Sequence, residues 1–147
     1  MSQCQIVVIE DNPADVFLIR LALEENGVPC EMTLFNNGEE ALRVLCPPEG
    51  GEESVFVPDA ILLDLNTPKS DGFSVLARLR QTSRLAEVPI AIITSSQATT
   101  DRDRIAGLGG IRYIPKPSHL DAFLSTVSKA VKEMLSGATG GPAQGVH

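Results

Sequence analysis

Residues 60–66, Ala60-Ile61-Leu62-Leu63-Asp64-Leu65-Asn66, run four apolar side chains straight into a carboxylate. An apolar run without polar alternation suits a strand of a parallel sheet covered on both faces. A carboxylate at the end of such a strand is poorly placed for mere solubility, which makes Asp64 the first candidate for chemistry.

Working outward, similar runs occur at Ile6–Ile9, Ile90–Ile93 and Ile111–Ile114, with a weaker one at Met32–Phe35, so five strands are expected. The stretches between them are long enough for crossover helices, which predicts an α/β domain: a doubly wound five-stranded parallel sheet with helices on both faces. The first helix is expected to open at Asn12-Pro13 and run to Gly27, with Val28 among its apolar neighbours. A second starts at Asn37, with Glu40 three residues on, and ends before Pro47. A third follows Gly72, and a fourth spans 99–108 ahead of Gly109-Gly110. In the last, Leu120, Phe123, Leu124, Val127, Ala130, Val131, Met134 and Leu135 recur at helical spacing behind a Ser118–Asp121 capping pair.

The chain has 147 residues, 43% of them hydrophobic and 21% charged, enough for one well-buried core and too few residues for two domains. Residues 1–136 are expected to form that domain, and the glycine-rich segment 137–147 a flexible tail with no output domain beyond it. The loop from Cys46 to Pro58 is expected to be flexible as well. Three cysteines, Cys4, Cys30 and Cys46, lack CxxC spacing and read as idle thiols in a reducing compartment. The two histidines, His119 and His147, lie far from any cysteine or each other, so a zinc or haem site lacks its parts. The N-terminus carries neither a basic region nor a long apolar run, which argues against a signal peptide or membrane anchor and for a cytoplasmic location. A net charge of −7 gives no footprint for a phosphate backbone, so nucleic acid is not an expected partner.

Function is signalled by what ends each strand: Glu10-Asp11 after the first, Asp64 at the third, Thr94-Ser95 after the fourth and Lys116 after the fifth. All fall at the carboxyl edge of the sheet, where open α/β folds bind ligands. Carboxylates brought together there repel: two unit charges about 4 Å apart at an effective dielectric near 20 cost about 4 kcal/mol. They need a cation, and an oxygen-only donor set open to water selects Mg2+ over softer metals or a calcium cage. Lys116 adds a positive charge and Thr94 a hydroxyl donor, so the set has the parts of aspartyl phosphorylation: a carboxylate nucleophile, a divalent ion and donors for the phosphoryl oxygens.

The Glu10-Asp11 pair, Leu63-Asp64-Leu65-Asn66-Thr67-Pro68 with Asp71-Gly72, Ile93-Thr94-Ser95 and Lys116-Pro117 together resemble the receiver domain of two-component response regulators, over about residues 4–135. The steps Asp64 to Thr94 (94 − 64 = 30) and Thr94 to Lys116 (116 − 94 = 22) match that family's spacing. The resemblance implies a flavodoxin-like (βα)5 fold in which Asp64 accepts a phosphoryl group from a kinase histidine, so the chain is a signalling protein and no conventional enzyme. It further implies that Asp11 binds Mg2+ directly and Glu10 through water, with Asp64 and the backbone carbonyl of Asn66 completing the set. Thr94 and Lys116 would contact the phosphoryl oxygens, and the Lys116-Pro117 bond is cis in the family. Thr94 and Tyr113 match the family's switch, which alters the surface formed by the fourth helix, fifth strand and last helix. Apolar residues of the last helix left exposed would make that surface a homodimer interface.

Within the family, VIEDNPADVFLIRLAL (residues 7–22), LDLNTPKSDGFSVL (63–76) and the long loop before Pro58 resemble single-domain regulators that accompany bacterial and cyanobacterial phytochromes, making a sensor histidine kinase of phytochrome type the implied partner. Thr67 and the Gly107–Gly110 segment depart from the family pattern. Three alternatives compete. A haloacid-dehalogenase-type phosphatase also uses an aspartyl phosphate, but Asn66 stands where its second carboxylate belongs. A flavin-binding module needs a phosphate cradle where this chain has Glu10-Asp11-Asn12-Pro13. A receiver-like module that signals by contacts alone, without phosphorylation, is the third.

Overall fold

The computed structural model describes residues 4–25, 27–28, 30–46, 57–65, 72–82, 85–94, 103, 111–116 and 119–136. Among them the elements are β1 (Cys4–Ile9), α1 (Pro13–Glu25), β2 (Cys30–Phe35), α2 (Gly38–Leu45), β3 (Ala60–Asp64), α3 (Gly72–Gln81), β4 (Ile90–Thr94), β5 (Ile111–Pro115) and α4 (Leu120–Leu135). The five strands form one all-parallel sheet in the order β2-β1-β3-β4-β5. This is the doubly wound flavodoxin-like receiver architecture expected from the sequence. Of the helix expected over 99–108 only residue 103 is described, and it is helical; the Gly109-Gly110 stop and the tail over 137–147 lie outside the described residues, as does most of the loop between Cys46 and Pro58.

Every residue of β3 and β4 is buried, as central strands roofed on both faces must be. Alternation sorts their side chains into two layers. Ile6, Val8, Leu62 and Ile93 pack with Ile19, Ala22 and Leu23 of α1 and Phe123, Val127 and Val131 of α4. Val7, Ile9, Leu63 and Ile92 pack on the other face with Ala41 and Leu45 of α2 and Leu76 and Leu79 of α3. Of the apolar stripe of α4, Phe123, Val127, Ala130, Val131 and Met134 are spent on the core, and Leu120 stays exposed.

The element ends obey local chemistry. Asn12 Oδ1 accepts from the Ala14 N–H at 2.8 Å, capping α1 just ahead of Pro13. At the other end the Val28 N–H reaches the Leu23 carbonyl and the Gly27 N–H that of Glu24, with Gly27 at φ 67°, which closes α1 as a Schellman motif. Asn37 Oδ1 accepts from the Glu40 N–H at 2.9 Å, while Glu40 Oε1 turns back to the N–H of Asn36. For α4 the capping expectation fails. The cap position is His119, without a side-chain hydrogen bond, because the helix starts at Leu120; Asp121 then lies inside the first turn, where it complements the helix dipole. Ser118 lies outside the described residues.

Strand limits differ slightly from the sequence reading. β1 and β2 each begin two residues early, at Cys4 and Cys30, which are partners in the register of the two strands. β3 stops at Asp64 and leaves Leu65 in a turn. All three cysteines are free, and burial beside Cys4 pushes the Cys30 thiol up to about 11, keeping it protonated and unreactive. At the opposite edge of the sheet from Asp64, Arg80 of α3 donates to the carbonyls of Leu85, Ala86 and Val88 at 3.3, 3.0 and 2.9 Å and so fixes the approach to β4.

Candidate functional site

The strand order reverses direction between β1 and β3, and the crevice at their carboxyl ends is where an open α/β sheet can receive a ligand. Glu10 lies directly beyond β1; its N–H donates to the Phe35 carbonyl at 3.0 Å, prolonging the ladder by one residue, and its side chain is buried. Asp11 follows, exposed, before α1 begins. Asp64 ends β3 and is buried. Glu10, Asp11 and Asp64 each offer an oxygen, and these oxygens lie within 4.8 Å of one another. Glu10 and Asp11, but not Asp64, also line an open depression of about 260 Å3 with Phe17 and Arg20 of α1 and Leu34 of β2.

From the other side Lys116 approaches. It directly follows β5, and its N–H donates to the Thr94 carbonyl at 2.9 Å. Its ammonium stands 3.5 Å from Asp64 Oδ2, 3.5 Å from Glu10 Oε1 and 2.6 Å from Asp15 Oδ2. Thr94 is fully buried at the end of β4. Tyr113, half-buried, packs on the layer of α2 and α3, and alternation places it on the same sheet face as Thr94.

The electrostatics are those of a site short of positive charge. Burial, above all, pushes the Glu10 carboxyl up to about 8; neighbouring Asp64 acts in the same direction, against Lys116 and the Asn12 N–H. Glu10 Oε1 is buried without a hydrogen-bond partner, since Lys116 is too distant to make a good one. Burial pulls the Lys116 ammonium down, but the hydrogen bond to Asp15 and the charges of Glu10 and Asp64 outweigh it and hold its pKa above the ordinary lysine value. An orphaned buried carboxylate oxygen beside two further carboxylates, all hard donors, fits a divalent cation.

Of the residues singled out from the sequence, Glu10, Asp11, Asp64 and Lys116 therefore meet, Thr94 adjoins them through the Lys116 backbone, and Tyr113 lies two residues along β5 from the Thr94 partner Pro115. Asn66, Thr67, Ser95 and Pro117 lie outside the described residues, and with them the carbonyl ligand and the cis bond. Sequence reasoning missed Asp15. In the sequence it looks like an ordinary first-turn acid; the only hint was its place one helical turn after Asp11 in a segment already rich in acids.

Comparison with known proteins agrees with this geometry. Residues 6–128 match the model of the response regulator receiver domain. The chain is 33% identical over 132 residues to the probable methanogenesis regulatory protein FilR2 of Methanothrix harundinacea, covering 90% of this chain and 83% of that protein. It spans less than half the length of several longer curated relatives. Among solved structures, the phosphorylated cyanobacterial phytochrome response regulator RcpA superposes with a TM-score of 0.81 at 33% identity, over 96% of this chain and 99% of that one. The Mn2+-bound form of response regulator Rcp1 gives 0.76 at 28% identity, over 88% and 92%. No helix among the described residues is long and apolar enough to cross a membrane. With an all-parallel β2-β1-β3-β4-β5 sheet, acids gathered at its switch point and the family model matched from residue 6 to residue 128, the chain belongs to the response regulator receiver domain family.

Proposed function

We propose that this chain accepts a phosphoryl group on Asp64 from the phosphohistidine of a sensor kinase and signals through the resulting change in its surface. The observation that carries the reading is the meeting of Glu10, Asp11 and Asp64 within 4.8 Å, with Lys116 3.5 Å from Asp64 and a buried Glu10 oxygen left without a hydrogen bond. Glu10, Asp11, Asp64 and the backbone carbonyl of Asn66 would hold Mg2+, which supplies positive charge to offset the phosphoryl oxygens. Asp64 is the nucleophile: an Oδ–P bond forms as the P–N bond to the kinase histidine breaks, and the histidine, protonated on its other ring nitrogen, leaves as neutral imidazole. Lys116 meets one phosphoryl oxygen with its ammonium, and the Thr94 hydroxyl donates to another.

Thr94 and Tyr113 form the readout in this reading. Drawing the Thr94 hydroxyl toward the phosphoryl group opens room on the face it shares with Tyr113, and the ring turns into it, reshaping the surface around β5. Residues 1–136 make up the receiver and 137–147 a tail. The chain works in the cytoplasm and catalyses no more than its own phosphorylation and dephosphorylation. Similarity to RcpA and Rcp1 favours a kinase of phytochrome type as the donor.

The decisive experiment incubates wild type and Asp64→Asn with acetyl phosphate, with and without Mg2+, and weighs both intact. A Mg2+-dependent phosphoryl adduct on wild type alone is expected. No adduct on a folded wild type sinks the reading and favours a module that signals by contacts alone. Sedimentation with and without a phosphoryl mimic tests a homodimer through the β5–α4 surface, which a concentration-independent monomer in both states would exclude.

A further inference from the structure

The nearest partner of Lys116 is neither Asp64 nor Glu10. Its Nζ lies 2.6 Å from Asp15 Oδ2, a short charge-assisted hydrogen bond joining residues 101 positions apart, and 3.5 Å from the other two acids. The ammonium is thus drawn 3.5 − 2.6 = 0.9 Å closer to Asp15 than to either of them. Both side chains are largely shielded, 18% exposed for Lys116 and 20% for Asp15, so the pair is screened less than a surface ion pair. Asp15 is not needed as a helix cap, because Asn12 Oδ1 already accepts from the Ala14 N–H. Its carboxylate is committed to the lysine.

This arrangement matters for the acids. A lysine free to choose would settle between Glu10 Oε1 and Asp64 Oδ2, supply the positive charge they lack and compete with a cation for them. With its best hydrogen bond spent on Asp15, it stays 3.5 Å from Glu10 Oε1 and leaves that buried oxygen without a hydrogen bond. We propose that Asp15 is a positioning residue that holds the Lys116 ammonium back from Glu10 and Asp64, keeping those acids for a divalent cation and the ammonium beside the cleft for an arriving phosphoryl oxygen. The inference rests on the reading of Asp64 as phosphoacceptor and names a residue that tunes that site.

A double-mutant cycle on metal affinity separates this role from a simple loss of negative charge. Mg2+ binding is titrated by calorimetry in wild type, Asp15→Asn, Lys116→Met and the double variant, with unfolding curves confirming that each is folded and Asp15→Ser as a second removal of the carboxylate. Asp15→Asn is expected to weaken Mg2+ binding at least about threefold when Lys116 is present and less than about twofold in the Lys116→Met background. Equal weakening in both backgrounds, or none in either, overturns the role of Asp15. Wild type is also tested for the acetyl phosphate adduct. If it takes up neither Mg2+ nor a phosphoryl group, the reading of the site fails and takes this inference with it. If it takes up both while the cycle shows no coupling, the positioning role alone fails.

Discussion

Gly72 opens α3 against the backbone of Leu65: a Cβ built on it would lie 2.9 Å from the Leu65 Cα and 2.7 Å from its Cδ2. Leu65 directly follows Asp64, so the start of α3 braces the turn that carries the proposed phosphoacceptor. Helix propensity alone would make Gly72→Ala stabilising by up to about 1 kcal/mol. The side-chain Cδ2 could turn aside, but the main-chain Cα and carbonyl oxygen of Leu65, at 2.9 and 3.2 Å, cannot swing away, so overpacking wins. Gly72→Ala is expected to lower unfolding stability by about 1–3 kcal/mol in denaturant titration and to slow phosphorylation of Asp64. An unchanged or raised midpoint would show that the turn can give way.

Asp64→Asn keeps the shape of the side chain and removes one charge from the acid cluster. Above about pH 8, where Glu10 is ionised, repulsion between Asp64 and buried Glu10 then falls, and the metal-free variant is expected to unfold there at a higher temperature than wild type. The added stability that Mg2+ gives wild type should shrink in the variant, since a ligand stabilises only as far as the folded state binds it. Thermal unfolding with and without Mg2+ checks both effects.

The Glu10 carboxyl, held at about 8 by burial and by Asp64, gives a pH dependence of defined sign. The folded metal-free protein keeps a proton that the unfolded chain has released, so this group's contribution to stability is complete below the ordinary glutamate range and declines as pH rises toward about 8. A cation must displace the same proton. Apparent Mg2+ affinity is therefore expected to rise with pH up to about 8, and Glu10→Gln to flatten that rise. Calorimetry in two buffers of different ionisation enthalpy would reveal the released proton.

Arg80 offers a control far from the acids. Its Nη1 donates to three carbonyls ahead of β4, and burial lowers its pKa without costing it its charge. Arg80→Ala strands those acceptors and is expected to cost about 1–3 kcal/mol of stability. Mg2+ affinity should stay at the wild-type value, because the clamp lies at the opposite edge of the sheet. A large loss of affinity would mean that the two edges are coupled.

The strands that were easiest to read were those the sheet buries on both faces. β3 and β4 are apolar up to their last residues because they are buried on both faces, and the same fact makes Asp64 conspicuous at the end of one. β2 was the weakest reading because it lies at the sheet edge, where Glu31 and Leu34 are exposed and the apolar run breaks up. Its true start at Cys30 follows from register with β1, a nonlocal pairing that no local pattern carries. At the start of α4, Ser118 and Asp121 suit a capping pair in the sequence, whereas the backbone turns helical only at Leu120. At the site, residues ending strands were legible since topology sends all strand ends to one edge. Asp15 was not, because its importance depends on a lysine 101 positions away.

The alternation of side chains divides the site between two layers. Even-numbered Glu10, Asp64 and Lys116 continue the face of Ile6, Leu62 and Ile114, roofed by α1 and α4, whereas Thr94 and Tyr113 continue the face of Ile92 and Ile111, roofed by α2 and α3. The acids and lysine that would capture charge and the tyrosine that would report it thus have different neighbours, with Thr94 the link between them. Mutation can remodel one layer while the packing behind the other stays as it was, so a lineage built on this chain could change what it listens to and what it speaks to in separate steps.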